Sequence, residues 1–187
     1  MEIKELLSKE SIIGVISNYK LNINNNGLVR DLKIKNINNA LKMVGLDDRF
    51  LDKNIEELTI SELWKIDLAT KLDREVIIVG NLSNCLIQKD IEYMKKLFIK
   101  LSNSFNKKIV VIDNKVDVFF NLTKLVVVMK DKNIIYKTDN MFDDELYKYV
   151  RMPKIVEFIK YVNEDNTYLN NNIEIYELIK DIYRSVS

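Results

Sequence analysis

The sequence predicts an α/β protein built on a mainly parallel sheet, and three observations carry that prediction. Val76 to Val79, Ile109 to Ile112 and Leu125 to Met129 are short apolar runs, each bounded by charged or turn-forming residues, as expected of strands within a sheet. Between the first two lies Ile91 to Phe105, where Ile91, Met94, Leu97, Phe98 and Leu101 recur at helical spacing. A strand, a helix and a second strand in that order form a crossover unit, and crossovers join parallel strands.

Taken in order, the chain opens with a helix over Met1 to Glu10 that places Ile3, Leu6 and Leu7 on one face. Ser11 to Ser17 then reads as a short buried strand. Residues 18–27, with Asn22, Asn24, Asn25, Asn26 and Gly27, form a polar loop. Val29 to Val44 carries Leu32, Ile34, Ile37, Leu41 and Val44, which suits a single helix stopped by Gly45. Ser61 is placed to cap the next helix, whose Leu63, Ile66, Leu68, Ala69 and Leu72 lead to the strand at Val76. That strand is expected to be buried on both faces, as parallel strands usually are, and to end at Gly80-Asn81. Lys107-Lys108 introduce the second strand. Leu125 to Met129 faces Ile134 to Tyr136 across Lys130 to Asn133, which is hairpin-like spacing. Two helices close the chain, one at Ile155 to Val162 after Pro153 and one at Ile173 to Val186, separated by the polar turn Asn163 to Asn172. The expected organisation is therefore a main domain, residues 1–149, with a helical insert at about 28–73, and a small helical C-terminal appendix, residues 150–187.

Composition narrows the function. With 47% apolar and 30% charged residues, 187 residues bury a sizeable core, as one compact domain or one domain with a small appendix. A net charge of +1 gives no long-range field to recruit nucleic acid, so no nucleic-acid partner is expected. The chain has no histidine and only Cys85, which excludes the usual zinc sites, His-dependent triads and an internal disulfide. Neither a leader pattern nor an apolar run of about 18 residues is present, so the expected location is cytoplasmic, without direct membrane insertion. Asp47-Asp48 and Asp143-Asp144-Glu145 can be read as metal carboxylates or as acidic helix starts, and the second reading is favoured. Trp64 suits a core or interface position, Cys85 an inert buried thiol, and the Lys95-Lys96 and Lys107-Lys108 pairs a solvated helix face and a loop.

Five segments, in the same order as in a known family, resemble ABC-type ATPases, and most of all the ATPase subunits of energy-coupling factor (cobalt and vitamin uptake) transporters. The most specific is ALKMVGLDDRFLDKNIEEL, Ala40 to Leu58, which resembles the line before the family's signature motif. LTISE, Leu58 to Glu62, falls where the family has LSGGQ. VIIVGNLSNCLI, Val76 to Ile87, falls on the Walker B strand and D-loop. Lys108 to Tyr136 falls on the switch-histidine strand and the hairpin beyond it, and MPKIVEFIKYV with IEIYELIKDI resembles the helical C-terminal piece. More weakly, IIGVISN resembles the strand before the Q-loop.

The resemblance implies an ABC ATPase sheet and also a loss of its chemistry. Walker A needs G-x-x-x-x-G-K-[ST], and none of Gly14, Gly27, Gly45 and Gly80 begins such a pattern. Gly80 and Asn81 stand where the family's magnesium aspartate and catalytic glutamate would be. Asn114 replaces the switch histidine, Ile87 the D-loop aspartate and Asn18 the Q-loop glutamine, while Ile60 and Glu62 put bulk and negative charge into the signature. No metal, cofactor or catalytic residue is expected. The implied protein is a degenerate, N-terminally truncated relative that works through a protein partner: itself, a transporter membrane subunit or an intact ATPase subunit, the last two placing it at the membrane periphery. The alternative is a nucleotide-binding ATPase subunit with a pocket rebuilt near Gly80 and Asn114. Without a Walker A strand, a place about 4.8 Å wide opens between the switch strand and the strand ahead of the hairpin. Unpaired buried backbone is too costly to leave there, so Ile12 to Ile16 fills it, the sheet closes around it, or another chain supplies the strand; the first is favoured, because Ile12 to Ile16 is apolar enough to be central.

Overall fold

A computed structural model describes residues 3–21, 26–164, 169 and 175–186. Its strands are β1 (Ile12–Ile16), β2 (Val76–Gly80), β3 (Lys108–Asp113), β4 (Leu125–Lys130) and β5 (Asn133–Thr138), joined in one sheet in the order β2-β3-β1-β4-β5. β2, β3, β1 and β4 run parallel; β5 returns antiparallel to β4. The segment expected to fill the open place does so. β1 lies between β3 and β4, with Gly14 opposite Val111 on one side and Val126 on the other. Its apolar residues suit that position, since a central parallel strand is covered on both faces.

β2 departs from expectation. It is an edge strand, and Val76 and Ile78 are 38% and 45% exposed while Ile77 and Val79 are fully buried. The physical reason lies in the sheet's two coverings. One face carries the main core, in which Ile77, Val79, Ile109, Val111 and Val126 meet helices α2 (Ile37–Met43), α3 (Ile60–Ala69) and α5 (Gln88–Phe105). The other is covered by the seven-residue α1 (Ile3–Lys9), whose Leu6 and Leu7 join Ile13, Val15, Val110 and Val127. So short a helix reaches the middle of the sheet and leaves the β2 edge bare. Trp64 and Phe98 are at most 1% exposed, and each burial contributes roughly 1.5–3 kcal/mol.

The helices show where local chemistry overrode periodicity. Val29 to Val44 is two pieces: a single 3₁₀ turn at Val29–Asp31 and α2, with Leu32 extended between them and Asn36 left-handed at φ 51°. Gly45 does stop α2, at φ 77°, and Leu46 N–H closes back on the Leu41 carbonyl. The cap of α3 is Thr59, two residues before the expected Ser61. Its hydroxyl accepts from the Glu62 N–H while the Glu62 carboxylate accepts from the Thr59 N–H at 2.7 Å. The hairpin turns through Asp131 and Lys132, at φ 49° and 66°, the paired left-handed geometry of a two-residue loop. A short helix, α4 (Leu82–Cys85), follows β2, and α6 (Lys154–Glu164) and α7 (Ile175–Val186) pair through Ile159, Leu169 and Leu178. The polar turn expected at Asn163 to Asn172 lies mostly outside the described residues, as does the helix start expected at Ile173.

Candidate functional site

In an open parallel sheet, ligands gather where the strands end at their carboxyl ends. Here those ends carry Ser17 to Tyr19 after β1, Gly80-Asn81 after β2 and Asp113-Asn114 after β3. Gly80 is the tightest point. A β-carbon built on it would stand 2.4 Å from Tyr19 Cγ and 2.7 Å from the Ile112 carbonyl oxygen. The ring of Tyr19 therefore occupies the space that any side chain at this position would enter. Trp64 Nε1 donates to the Gly80 carbonyl at 2.7 Å, closing the same residue from the helix side.

Tyr19 is itself held. Lys71 Nζ donates to its hydroxyl at 3.1 Å and reaches Asp67 Oδ2 at 2.5 Å. Burial pushes the Asp67 carboxyl up, against the opposing pull of the Lys71 ammonium. A carboxylate thus does lie close to the end of β2, but it is spent on an (i, i+4) ion pair within the α3 region. Asn81 takes the left-handed conformation at φ 61°, with its N–H on the Ile112 carbonyl and its side chain accepting from Asn84 at 2.5 Å. It starts α4.

Asp113 is the buried carboxylate that sequence reasoning overlooked. It is 1% exposed and accepts from Ser83 Oγ at 2.6 Å, Ser83 N–H at 3.0 Å and Lys115 N–H at 3.1 Å. The signal was present: an acidic residue directly ending the apolar run Ile109 to Ile112. Its bonds tie the end of β3 to α4, and they leave Asn114 exposed on the bend beyond. Cys85 is buried nearby, its thiol pushed up by burial and then by the Asp113 charge.

The remaining predicted positions form a second group. Ile60 and Ile87 are 54% and 68% exposed at the starts of α3 and α5. These starts are joined by Lys65–Asp90 at 2.9 Å and by Ser61 Oγ to Asp90 at 3.5 Å. Glu62 is consumed by the capping box. Burial works to raise its carboxyl, but the hydrogen bonds it accepts from Thr59, together with the nearby Lys53 ammonium, hold it below the usual value. Asn18 is exposed just beyond β1. The structure thus brings Gly80, Asn81 and Asn114 to the carboxyl ends of the strands and Ile60 and Glu62 to the start of α3, while Ile87 starts α5 between Leu86 and Gln88, which share the cavity beside Asp113 with Lys115.

Among the described residues, no group of three or more Cys, Asp or Glu is placed to hold a metal ion. Asp47 caps a 3₁₀ turn by accepting from the Arg49 N–H, and Asp143 accepts from the Glu145 N–H, so both acidic clusters do sit at turn starts. A cavity of about 260 Å³ beside Asp113 is lined by Ser83, Gln88, Ile91, Lys115 and Asp117. A larger cavity, about 670 Å³, lies at the opposite, amino-terminal ends of the strands, between Lys9, Ser11, Asn103 and Lys124. No described helix is long and apolar enough to cross a membrane.

No protein-family model matches the chain, and no curated protein matches it in sequence. Solved structures do. The ATP-binding cassette MJ0796, in a dimeric post-hydrolysis state bound to ADP and Pi, aligns over 73% of this chain and 67% of its own, at 17% identity and a TM-score of 0.54. CbiO1 of Clostridium perfringens, part of the ABC transporter complex CbiONQ, aligns over 84% of this chain and 70% of its own, at 17% identity and 0.51. The cassette MJ1267 in its ADP conformation gives 82%, 69%, 14% and 0.50. In another dimeric MJ0796 structure the match spans 44% of that chain, at a TM-score of 0.49. At these identities the likeness is one of fold: a mixed α/β, mostly parallel five-stranded sheet of ABC ATPase type.

Proposed function

We propose that this chain is a non-catalytic, degenerate relative of ABC transporter ATPases that acts by binding a protein. One observation carries the reading: the ring of Tyr19 fills the space beside Gly80 where a magnesium-holding side chain would project. Three more support it. Ser17 to Leu21, which leave the central strand β1, contain no glycine with which to wrap a phosphate. Asn81 is committed to starting α4, and Asn114 is an amide that supplies no imidazole. Phosphoryl transfer rests on positioned charge and metal, and the carboxylates of Asp67 and Asp113 are engaged with Lys71 and with Ser83 and the Lys115 N–H.

What the fold offers instead is surface. Ile60 and Ile87 stand out at the joined starts of α3 and α5, and Phe158, Tyr161 and Tyr183 are exposed on the C-terminal helices. Exposed aromatic and aliphatic residues in groups mark contact surfaces. The partner we favour is a transporter membrane subunit or an intact ATPase subunit, given that CbiO1 is part of a transporter complex. A second copy of the chain is a further possibility, and cytoplasmic residence at the membrane periphery follows from the first two. The test is capture of the tagged chain from its native host in detergent, followed by mass spectrometry. Enrichment of one transporter's membrane or ATPase subunit over a tag-only control is the expected result. Recovery of only the chain itself, or of soluble proteins from another process, would mean that the ABC fold serves as a scaffold elsewhere. The competing reading, a nucleotide-binding subunit with a rebuilt pocket, calls for a phosphate cradle near Gly80 and Asn114.

A further inference from the structure

The two edges of the sheet differ in a way that points to an occupant. β5 carries the usual protection of an edge: Lys137 is exposed on it, and the ladder with β4 is broken by a bulge at Val128/Met129. β2 carries none. Its residues are Val, Ile, Ile, Val and Gly, without lysine, proline or bulge, and it pairs only with β3. Strands left in that state are templates for another strand.

The unpaired positions can be assigned. Glu75 O accepts from the Lys108 N–H, and the Asn81 N–H donates to Ile112 O, so the odd-numbered positions of β2 face β3. By alternation, the N–H and C=O groups of Val76 and Ile78 point outward. The next outward carbonyl, that of Gly80, is already taken by Trp64 Nε1. The open edge therefore consists of Val76 and Ile78, the two residues whose side chains are also exposed on the sheet face that α1 leaves bare.

We infer that this edge pairs with the same edge of a second copy of the chain, antiparallel about Ile77. In that register Val76 faces the second copy's Ile78, and Ile78 its Val76. Both pairs are of the hydrogen-bonded kind, each exchanging two backbone bonds, and both place β-branched side chains against each other on the bare face. A two-fold axis through Ile77 satisfies both copies with one contact, which is why the strand's own sequence is its natural complement. The Trp64 closure at Gly80 stops the pairing from sliding one step further. This gives the protein-binding reading above one surface and one occupant, and it rests on that reading only for its biological sense.

The pairing is short, so a dissociation constant of roughly 10–100 µM is expected. The test is sedimentation velocity on the full chain from about 5 to about 500 µM, a range that brackets such an affinity. The same runs are made with Ile78→Lys and, as a control on the opposite edge, Ile135→Lys. The expected result is a monomer–dimer equilibrium that persists in Ile135→Lys and is lost in Ile78→Lys, with Val76 and Ile78 amides exchanging more slowly as concentration rises. Both substituted residues are exposed, and melting curves confirm that the variants fold. A chain that stays monomeric throughout, or a dimer indifferent to Ile78→Lys, overturns the assignment, and neither outcome bears on whether the chain binds nucleotide or a transporter subunit.

Discussion

A β-carbon at position 80 would lie 2.4 Å from Tyr19 Cγ, closer than real side chains approach, so glycine here is a packing requirement. Restoring an acidic side chain is correspondingly expensive. Gly80→Asp is expected to lower stability by about 2–4 kcal/mol in urea unfolding, through overpacking and a buried charge facing an aromatic ring. In a Tyr19→Ala background the same substitution is expected to cost less, because the ring is gone, and the double-mutant cycle reads the coupling directly. Tyr136 and Asp143 give a second expectation at this scale. The Tyr136 hydroxyl donates to the Asp143 carboxylate; this bond holds the Asp143 carboxyl below its ordinary 3.8 and pushes the Tyr136 phenol up to about 12. For a depressed acid, the contribution is present above the unfolded value and lost as pH falls below 3.8 toward the folded one. For the phenol it is present below 10.0 and lost as pH rises through about 12. Stability measured against pH is therefore expected to differ between the natural chain and Tyr136→Phe across neutral pH, and to converge at both extremes. Tyr19 was not legible as a site residue, since no local pattern shows that the segment leaving β1 crosses the end of β3 to lay its ring on Gly80. Nor was the role of asparagine: Asn36, Asn81, Asn106 and Asn121 all take positive φ, so in a chain with only four glycines asparagine supplies left-handed turns.

Among the elements, those with strong apolar runs were readable, and those decided by a cap or a single backbone angle were not. β3, β4 and α5 lie where the sequence places them to within a few residues, because buried periodicity dominates them. The stretch before Gly45 has helical spacing throughout and yet breaks, because Asn36 adopts the left-handed region and Leu32 remains extended. At α3 two hydroxyls compete for the cap, and Thr59 wins because it sits three residues before Glu62, which Ser61 does not. Thr59→Ala is expected to cost about 1 kcal/mol in chemical denaturation, and Ser61→Ala less than about 0.5 kcal/mol. Equal losses in the two variants would mean that the capping box is not what starts this helix.

For the molecule as a whole, the sheet order explains both what was foreseen and what was not. Ile12 to Ile16 is apolar enough to lie at the centre of a sheet, which is why its place between β3 and β4 is favoured over a closed sheet or a strand from another chain. The exposure of β2 could not be foreseen, because it depends on how far α1 reaches across the opposite face, a quantity no local pattern encodes. The family resemblance singled out Asn18, Gly80, Asn81, Asn114, Ile60, Glu62 and Ile87 one by one; where each stands in space, and that Tyr19 packs on Gly80, came from the fold. Closure of the strand end to nucleotide is read by melting the full chain in increasing magnesium–ATP. A site with a dissociation constant of about 50 µM would gain roughly 2.7 kcal/mol at about 5 mM ligand. For a chain of this size that is a rise of roughly 5–10 °C. No saturable change in melting temperature is expected; a saturable rise of that order would show an open strand end that binds nucleotide.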